Sequence, residues 1–226
     1  MSTTAVPRTR VRRVPSRAVY DREAIDQILD EAMIAHLGFV HDGQPFVIPT
    51  LHARVGDAVY FHGSAASRAI RTLNSGAPAC LTVTLLDGLV LARSAFHTSL
   101  NYRSVVVLGS ARPVEGPDER RRALEAFMER LIPGRWAEVR PPSAKELKGT
   151  RVLALALDET SAKVRTGPPE DDRGDVELPV WAGVIPLHTT AGTPIPDPLT
   201  PPQITASGAV TSWTPQRKTH ITRSIA

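Results

Sequence analysis

One stretch of the sequence combines hydroxyl groups, a glycine and an arginine in a pattern suited to anion binding. Residues 59–62 predict a strand, Gly63 and Ser64 predict a loop, and Ser67 can begin a helix. Backbone N–H groups and hydroxyls at such a helix start favour an anion, and Arg68 could hold a phosphate through two parallel hydrogen bonds. The same residues also fit an ordinary serine-capped helix with an exposed arginine, so the stretch alone leaves both interpretations open.

A second polar group lies beside an apolar strand. Residues 93–105 are rich in hydroxyl, amide and guanidinium groups and lead directly into the apolar residues 105–108. Such groups can hydrogen-bond a flat heterocycle with polar edges. The pattern therefore favours a ligand that presents a flat ring.

The sequence lacks the motifs of several common catalytic and metal-binding sites. It contains no P-loop, no G-x-G-x-x-G, no G-x-S-x-G and no H-E-x-x-H. No two of the seven histidines are four residues apart, and the single Cys80 lies in an apolar run that predicts a buried, inert thiol. We expect no metal site and name no catalytic residue.

The elements that must position these groups are mainly strands. Asp21 can cap a helix with an apolar stripe at Ile25, Ile28 and Leu29, which we expect to end by His36. Turn dipeptides, among them Asp87-Gly88, predict antiparallel hairpins. The predicted strands are 37–40, 46–54, 58–62, 79–86, 89–94, 102–114 and 152–157, and the further helices are 67–73 and 118–131. The fold class is mainly β (α+β), a small closed or partly closed barrel with peripheral helices rather than a doubly wound sheet.

Charge and proline divide the chain into three parts. Residues 1–17 form a basic arm with five arginines and no acid, residues 18–190 form the folded body, and residues 191–226 form a proline-rich extended or disordered tail. Nucleic-acid binding is not expected, because no aromatic residues are interleaved with the arginines. Without a spanning segment or secretory signal, and with one cysteine, the sequence predicts a cytoplasmic protein.

Four motifs in order give the sequence a family resemblance. They are residues 61–68 with Ser67 and Arg68, residues 101–109 beginning Asn-Tyr-Arg-Ser-Val, residues 161–165, and residues 178–186 with Trp-Ala-Gly-Val-Ile-Pro. Together, over residues 18–190, they resemble the pyridoxamine 5′-phosphate oxidase-like flavin-binding split barrels, in the branch related to nitroimidazole reductases. The resemblance implies a six-stranded antiparallel split barrel that forms a homodimer, with one FMN in each of two clefts between the subunits.

The resemblance also implies a set of cofactor contacts. Ser67 and Arg68 would contact the phosphate. The flavin ring would lie beside the strand with residues 49–51, face the strand with residues 102–105, and be covered by Trp181 of the partner chain. Arg103 alternates with Tyr102 and Ser104, so it could instead be ion-paired or solvated, and Trp181 could be an interface anchor. The complete implied set is Pro49, Thr50, Leu51, His62, Gly63, Ser64, Ser67, Arg68, Tyr102, Arg103, Ser104, Val105 and Trp181.

The resemblance implies an FMN-dependent oxidoreductase that reduces a small, flat substrate with a nicotinamide-type donor. The Arg-Leu run of true pyridoxamine phosphate oxidases is missing near the C-terminus, so vitamin B6 oxidation is not expected. Related proteins also use deazaflavin or haem, which are the alternative cofactors. A flavin- or haem-binding carrier or sensor without turnover is the alternative function.

Overall fold

A computed structural model describes residues 8–215 of the chain. Ten strands within this range form one antiparallel sheet in the order β1-β9-β6-β5-β2-β3-β4-β8-β7, with β10 added to β5. The strands are β1 (Ala18–Val19), β2 (Ile34–His41), β3 (Gln44–Val55), β4 (Ala58–Ser64), β5 (Pro78–Leu91), β6 (Ser99–Ser110), β7 (Arg112–Pro113), β8 (Thr150–Ala156), β9 (Glu159–Arg165) and β10 (Gly183–Pro186). The mainly β split-barrel class is confirmed, but there are ten strands in this part of the chain, not six.

Five α-helices accompany the sheet in the described range. They are α1 (Arg22–Glu31), α2 (Arg68–Asn74), α3 (Pro117–Leu131), α4 (Ala144–Gly149) and α5 (Gly208–Thr211). The Asp21 carboxylate accepts a hydrogen bond from the Ala24 N–H, so the predicted cap of α1 is confirmed. Helix α1 ends at Glu31, before His36 as expected, but the predicted start of the next strand at residue 37 is wrong, because β2 already begins at Ile34 and alternates buried with exposed residues.

The predicted hairpin at Asp87-Gly88 is also wrong. Strand β5 continues through the dipeptide, and one extra residue between the partners of Tyr102 and Asn101 makes a β-bulge. Gly88 is needed there because β10 passes so closely that a Cβ would lie 3.1 Å from the carbonyl oxygen of Ile185. The true hairpin joins β5 to β6 through the loop 92–98.

Two apolar clusters hold the described fold together. The larger one fills the barrel with inward side chains of the strands and the apolar faces of α1 and α2, including Ile28, Leu81 and Val107. The smaller one lies outside the barrel, where Phe127 of α3 packs on Ala53, Val152 and Ala154. Helix α3 therefore covers part of the outer surface of the sheet.

Both terminal segments contact the body where they are described. In the N-terminal arm, Arg8 pairs with Glu159 of β9, and Thr9 is buried. In the C-terminal segment, the Ser207 hydroxyl donates to Glu138, which lies in the 3-10 turn Arg135–Glu138. No helix in the range 8–215 has the length and apolar character needed to cross a membrane.

Candidate functional site

The outer surface of the sheet has an uncovered part that we call the open face. It consists of the outward side chains of β2, the first half of β3, β5 and β6. Apolar residues stand exposed on it, among them Ile34 (56% exposed) and Val47 (68% exposed). The open face comprises Ile34, His36, Val40, Val47, Pro49, Thr82, Thr84, Leu86, Tyr102, Ser104 and Val106.

The ring-binding residues expected from the sequence lie at opposite sides of this open face. In one row of the sheet, Pro49 of β3 is opposite His36, His36 is opposite Thr82, and Thr82 is opposite Val106 of β6. Three strand spacings separate β3 from β6, which is roughly 14 Å. Pro49 and the pair Tyr102 and Ser104 therefore share a face, but they are too far apart to clamp one ring within a single chain.

The other two β3 residues of the set are less exposed. The Thr50 hydroxyl donates to the Leu51 carbonyl oxygen at 3.2 Å. Leu51 packs against the cluster under α3. Of the three expected β3 residues, only Pro49 presents an exposed side chain to the open face.

The predicted phosphate contacts are brought together between β4 and α2. The Ser67 hydroxyl accepts from the Ile70 N–H and caps α2, while the Ser64 hydroxyl accepts from the Ala66 N–H. Because both oxygens act as acceptors, both O–H groups remain able to donate to a phosphate. The Arg68 guanidinium lies 4.5 Å from the centroid of the Phe46 ring and pairs with no carboxylate in the described range. The three side chains thus form a cationic, hydroxyl-lined cluster with an unpaired charge.

His62 and Gly63 precede this cluster and point to opposite sides of β4. The His62 ring packs against the Phe127 ring of α3, with centroids 4.6 Å apart, and burial lowers the pKa of His62. A Cβ at Gly63 would lie 3.0 Å from Ile70 of α2. The His62 imidazole is therefore directed under α3, and Gly63 allows α2 to pack closely on the strand.

Arg103 and Val105 lie on the inner side of β6. The Arg103 guanidinium donates to Asp87 at the bulge and to Glu31 at the end of α1, over distances of 2.5 to 2.8 Å. Asp87 and Glu31 raise the pKa of Arg103 above its usual value. Val105 is completely buried in the barrel core. The side chains of both residues are occupied by the fold, and the ion-paired alternative for Arg103 is the one observed.

Trp181 lies just before β10 and is 65% exposed. Its ring lies over the backbone of Gly183, where a Cβ would approach within 2.8 Å of it. The nearby loop 92–98 is tied down, because Arg93 pairs with Asp171 and His97 contacts Asp172. An indole held at the end of the sheet with its face exposed is suited to cover a ligand or a partner.

His36 is a site candidate that the sequence analysis missed. Its imidazole stands exposed near the middle of the open face and makes no hydrogen bond or ion pair with any residue in the range 8–215. The sequence analysis placed it at a helix end, because the strand alternation around Leu37 and Phe39 is short. The alternating apolar residues 35, 37 and 39 were the signal that could have found it.

Comparisons with known proteins agree with this geometry. A family model described as pyridoxamine 5′-phosphate oxidase matches residues 21–164. The structure of the flavocytochrome Anf3 from Azotobacter vinelandii is 44% identical, with a TM-score of 0.86 over 91% of this chain and 95% of that one. The FAD and haem binding protein from Mycobacterium smegmatis is 39% identical, with a TM-score of 0.84 over 88% of this chain and 98% of that one.

A more distant structure shares the fold alone. A putative 5-nitroimidazole antibiotic resistance protein from Bacteroides thetaiotaomicron is 22% identical, with a TM-score of 0.55 over 65% of this chain and 86% of that one. No curated protein matched the sequence. The family match and the two similar structures confirm the resemblance found in the sequence: the chain belongs to the pyridoxamine 5′-phosphate oxidase-like family of flavin-binding split barrels.

Proposed function

We propose that this protein is a flavin-dependent oxidoreductase that works as a homodimer, with one flavin in each of two clefts between the open faces of the two chains. The observation that carries the proposal is the Arg68 guanidinium, which pairs with no carboxylate among residues 8–215 and belongs to the same β4–α2 junction as the Ser64 and Ser67 hydroxyls. A cytoplasmic location belongs to the same proposal.

The phosphate end of the flavin is assigned to the cluster between β4 and α2. Arg68 supplies a positive charge that its contact with the Phe46 ring orients. The hydroxyls of Ser64 and Ser67 supply two donors, and a charge-assisted contact to phosphate is about twice as strong as a neutral one. These residues fit the phosphate of FMN and equally the first phosphate of FAD.

The ring end is assigned to the open faces of two chains. One chain provides the strand with Pro49, and the other provides Tyr102 and Ser104, because roughly 14 Å separates β3 from β6 within one sheet. Trp181 of the partner covers the ring in this arrangement. A bound flavin supplies the hydride and electron transfer, while the chain positions the ring and excludes water from it.

A haem as second cofactor is part of the proposal. It is supported by the two similar structures, one titled a flavocytochrome and the other an FAD and haem binding protein. The imidazole of His36 is exposed among apolar side chains and has no partner within residues 8–215, and it fits a haem ligand because haem proteins of several classes bind the iron through histidine. A haem held by His36 would supply one-electron chemistry.

The first experiment is a titration of apo-protein with FMN and with riboflavin. We expect Arg68→Ala to weaken FMN binding ten- to a hundredfold and to leave riboflavin binding unchanged, because riboflavin has no phosphate. Arg71→Ala is the matched control, since Arg71 is exposed one turn further along α2. Equal losses for both ligands in Arg68→Ala would contradict the phosphate role.

The second experiment identifies the cofactors and the reaction. The absorption spectrum of purified protein separates flavin, deazaflavin and haem, and His36→Ala is expected to lose the haem band and keep the flavin band, with His97→Ala as control. Oxidation of NAD(P)H with a small, flat, electron-poor acceptor measures turnover. A protein that holds its cofactors without any turnover would be the carrier or sensor alternative.

A further inference from the structure

Two positively charged residues lie where β9 continues the sheet beyond β6, next to the open face. Arg165 of β9 is directly opposite Tyr102 of β6. Lys163 is opposite Ser104 in the same pair of strands. Because Val164 between them points into the barrel core, Lys163 and Arg165 belong to the outer side of the sheet. They are therefore one strand spacing, about 5 Å, from the β6 residues assigned to the flavin ring.

Arg165 is a buried cation that pairs with no carboxylate among residues 8–215. It is 4% exposed, and its guanidinium donates to the Asn101 side-chain oxygen at 2.5 Å and to the carbonyl oxygens of Gly167 and Pro168. The Nε is buried and has no hydrogen-bond partner in the described part of the chain. A buried charge is normally neutralised by an opposite charge, because its removal from water is costly. Neutral oxygens satisfy Arg165 only in part, and its charge is left unbalanced.

A second arginine makes this imbalance larger. Burial, and next the positive charge of Arg17, lower the pKa of Arg165, while Glu170 acts in the opposite direction. Glu170 is exposed and makes no ion pair with the residues that the structure describes. We call Arg17, Lys163 and Arg165 the cationic cluster. An anion bound beside it would offset the repulsion between the positive charges, which a neutral molecule would not do.

Two side chains at the cationic cluster have donors available for such an anion. The Lys163 ammonium and the Tyr102 phenol are half-buried and make no hydrogen bond or ion pair within the range 8–215. The Ser104 hydroxyl already donates to the Lys163 carbonyl oxygen at 3.3 Å, and Arg165 donates to groups of the fold. An incoming anion therefore meets one ammonium and one phenol O–H. These two donors match the two oxygens of a carboxylate better than the three oxygens of a phosphate ester.

We propose that the substrate of the flavin carries a carboxylate, which Lys163 and Tyr102 bind while Arg165 supplies a second positive charge from the next outward position of β9. The inference rests on the proposed flavin site, and it names the substrate class as a small, flat, electron-poor ring with a carboxylate. One strand spacing separates that carboxylate from the residues that face the flavin, so the substrate ring can lie against the flavin ring. Arg165 is a positioning residue, because its side chain is covered.

Calorimetric titration of the purified protein with benzoate and with benzamide tests the cationic cluster. The two probes have the same flat ring, but only benzoate is charged. We expect benzoate to bind about tenfold more tightly than benzamide at low salt, because a charge-assisted contact is stronger than a neutral one. Lys163→Gln should remove this preference, and Lys145→Gln, at an exposed position of α4, should keep it. Equal affinities of the wild type for benzoate and benzamide would overturn the inference.

Two variants separate the charge of Arg165 from its role in the fold. Arg165→Lys keeps the charge and should retain most of the preference for benzoate. Arg165→Gln removes the charge and should weaken benzoate binding about tenfold without changing benzamide binding, which also shows that the variant is folded. Equal benzoate affinities for these two variants would overturn the part assigned to Arg165. Lys163→Gln changes a half-buried residue and keeps the test independent of the folding of both.

The flavin spectrum distinguishes this inference from the proposed function. We expect benzoate to shift the flavin absorption band of the holoprotein, and Lys163→Gln to abolish the shift. Benzoate binding that leaves the flavin band unchanged would overturn the substrate class and leave the flavin proposal standing. Tighter binding of phenyl phosphate than of benzoate would overturn the choice of a carboxylate. A protein that binds no flavin would overturn the proposed function, whatever its affinity for benzoate.

Discussion

The two halves of the outer sheet surface have similar strands but opposite surroundings. Where α3 lies on β3, β4 and β8, outward side chains are buried, and Ala53 is 1% exposed. Six residues earlier on the same strand, outward Val47 is 68% exposed on the open face. Apolar side chains left on a sheet face are an association or aggregation surface. The covered half therefore serves the stability of one chain, and the open half is the surface that we propose for a second chain and a ligand.

The covered half is tested most strongly by Phe127→Ala. Phe127 is the aromatic side chain that α3 contributes to this cluster, and its removal leaves a cavity against Val152 and Ala154. We expect the free energy of unfolding in urea to fall by about 3–5 kcal/mol, with the oligomeric state unchanged. Phe96→Ala makes the same substitution at a 92% exposed position and should have almost no effect. A loss below about 1 kcal/mol in Phe127→Ala would mean that α3 is only loosely attached.

The stability of the fold should respond to pH through His52, which is buried on the inner side of β3, the strand that the two halves share. Burial, and next the Arg130 charge, lower the pKa of His52 to about 4, and its Nε2 bonds the Leu29 carbonyl at 2.9 Å. The unfolded chain takes up this proton near pH 6.5, so stability is lost as the pH falls from about 6.5 to about 4. The shift corresponds to about 3 kcal/mol.

The measurement is urea unfolding at several pH values in this window. His52→Gln can still donate to the Leu29 carbonyl but does not titrate, so its stability should fall less steeply with acid than that of the wild type. His62→Gln is the control for the other buried histidine, because burial lowers the pKa of His62 as well. Parallel pH profiles for wild type and His52→Gln would show that His52 is not the titrating group.

The open half is tested by Val47→Asp. We expect the wild type to be a dimer by light scattering at micromolar concentration, and the variant to dimerise ten- to a hundredfold more weakly because a carboxylate would be buried in the interface. Flavin affinity should fall with it. Ile195→Asp places the same charge at a 92% exposed residue outside the sheet and should remain dimeric. A monomeric wild type would remove both the interface and the shared cleft.

The features that could be predicted from the sequence were the locally encoded ones. Asp21 and Ser67 accept hydrogen bonds from N–H groups three residues later, so their caps are readable from residue type and spacing alone. The capping box of Ser143 and Glu146 that begins α4 was equally readable and was overlooked. The split-barrel fold was predicted from the family motifs.

The features that could not be predicted depend on contacts between distant residues. Asp87-Gly88 has the composition of a turn, but β10 pairs with one edge of β5 and β6 with the other, and both keep the strand extended. The partners of Arg103 lie 16 and 72 residues away in the sequence. Arg165 likewise contacts Asn101, which lies 64 residues earlier in the sequence.

The bulge at Asp87 reverses the alternation of inward and outward side chains along β5. Before it, the odd-numbered residues Leu81 and Val83 point into the barrel; after it, the even-numbered Val90 does, and Leu89 points outward opposite Leu100. Deleting this one residue would remove the bulge and leave Val90 opposite Ser99 and inside the barrel, because the extra residue and the change of phase disappear together. The deletion would remove one carboxylate from Arg103. Asp87 is thus required for the ion pair with Arg103, and not for the orientation of Val90.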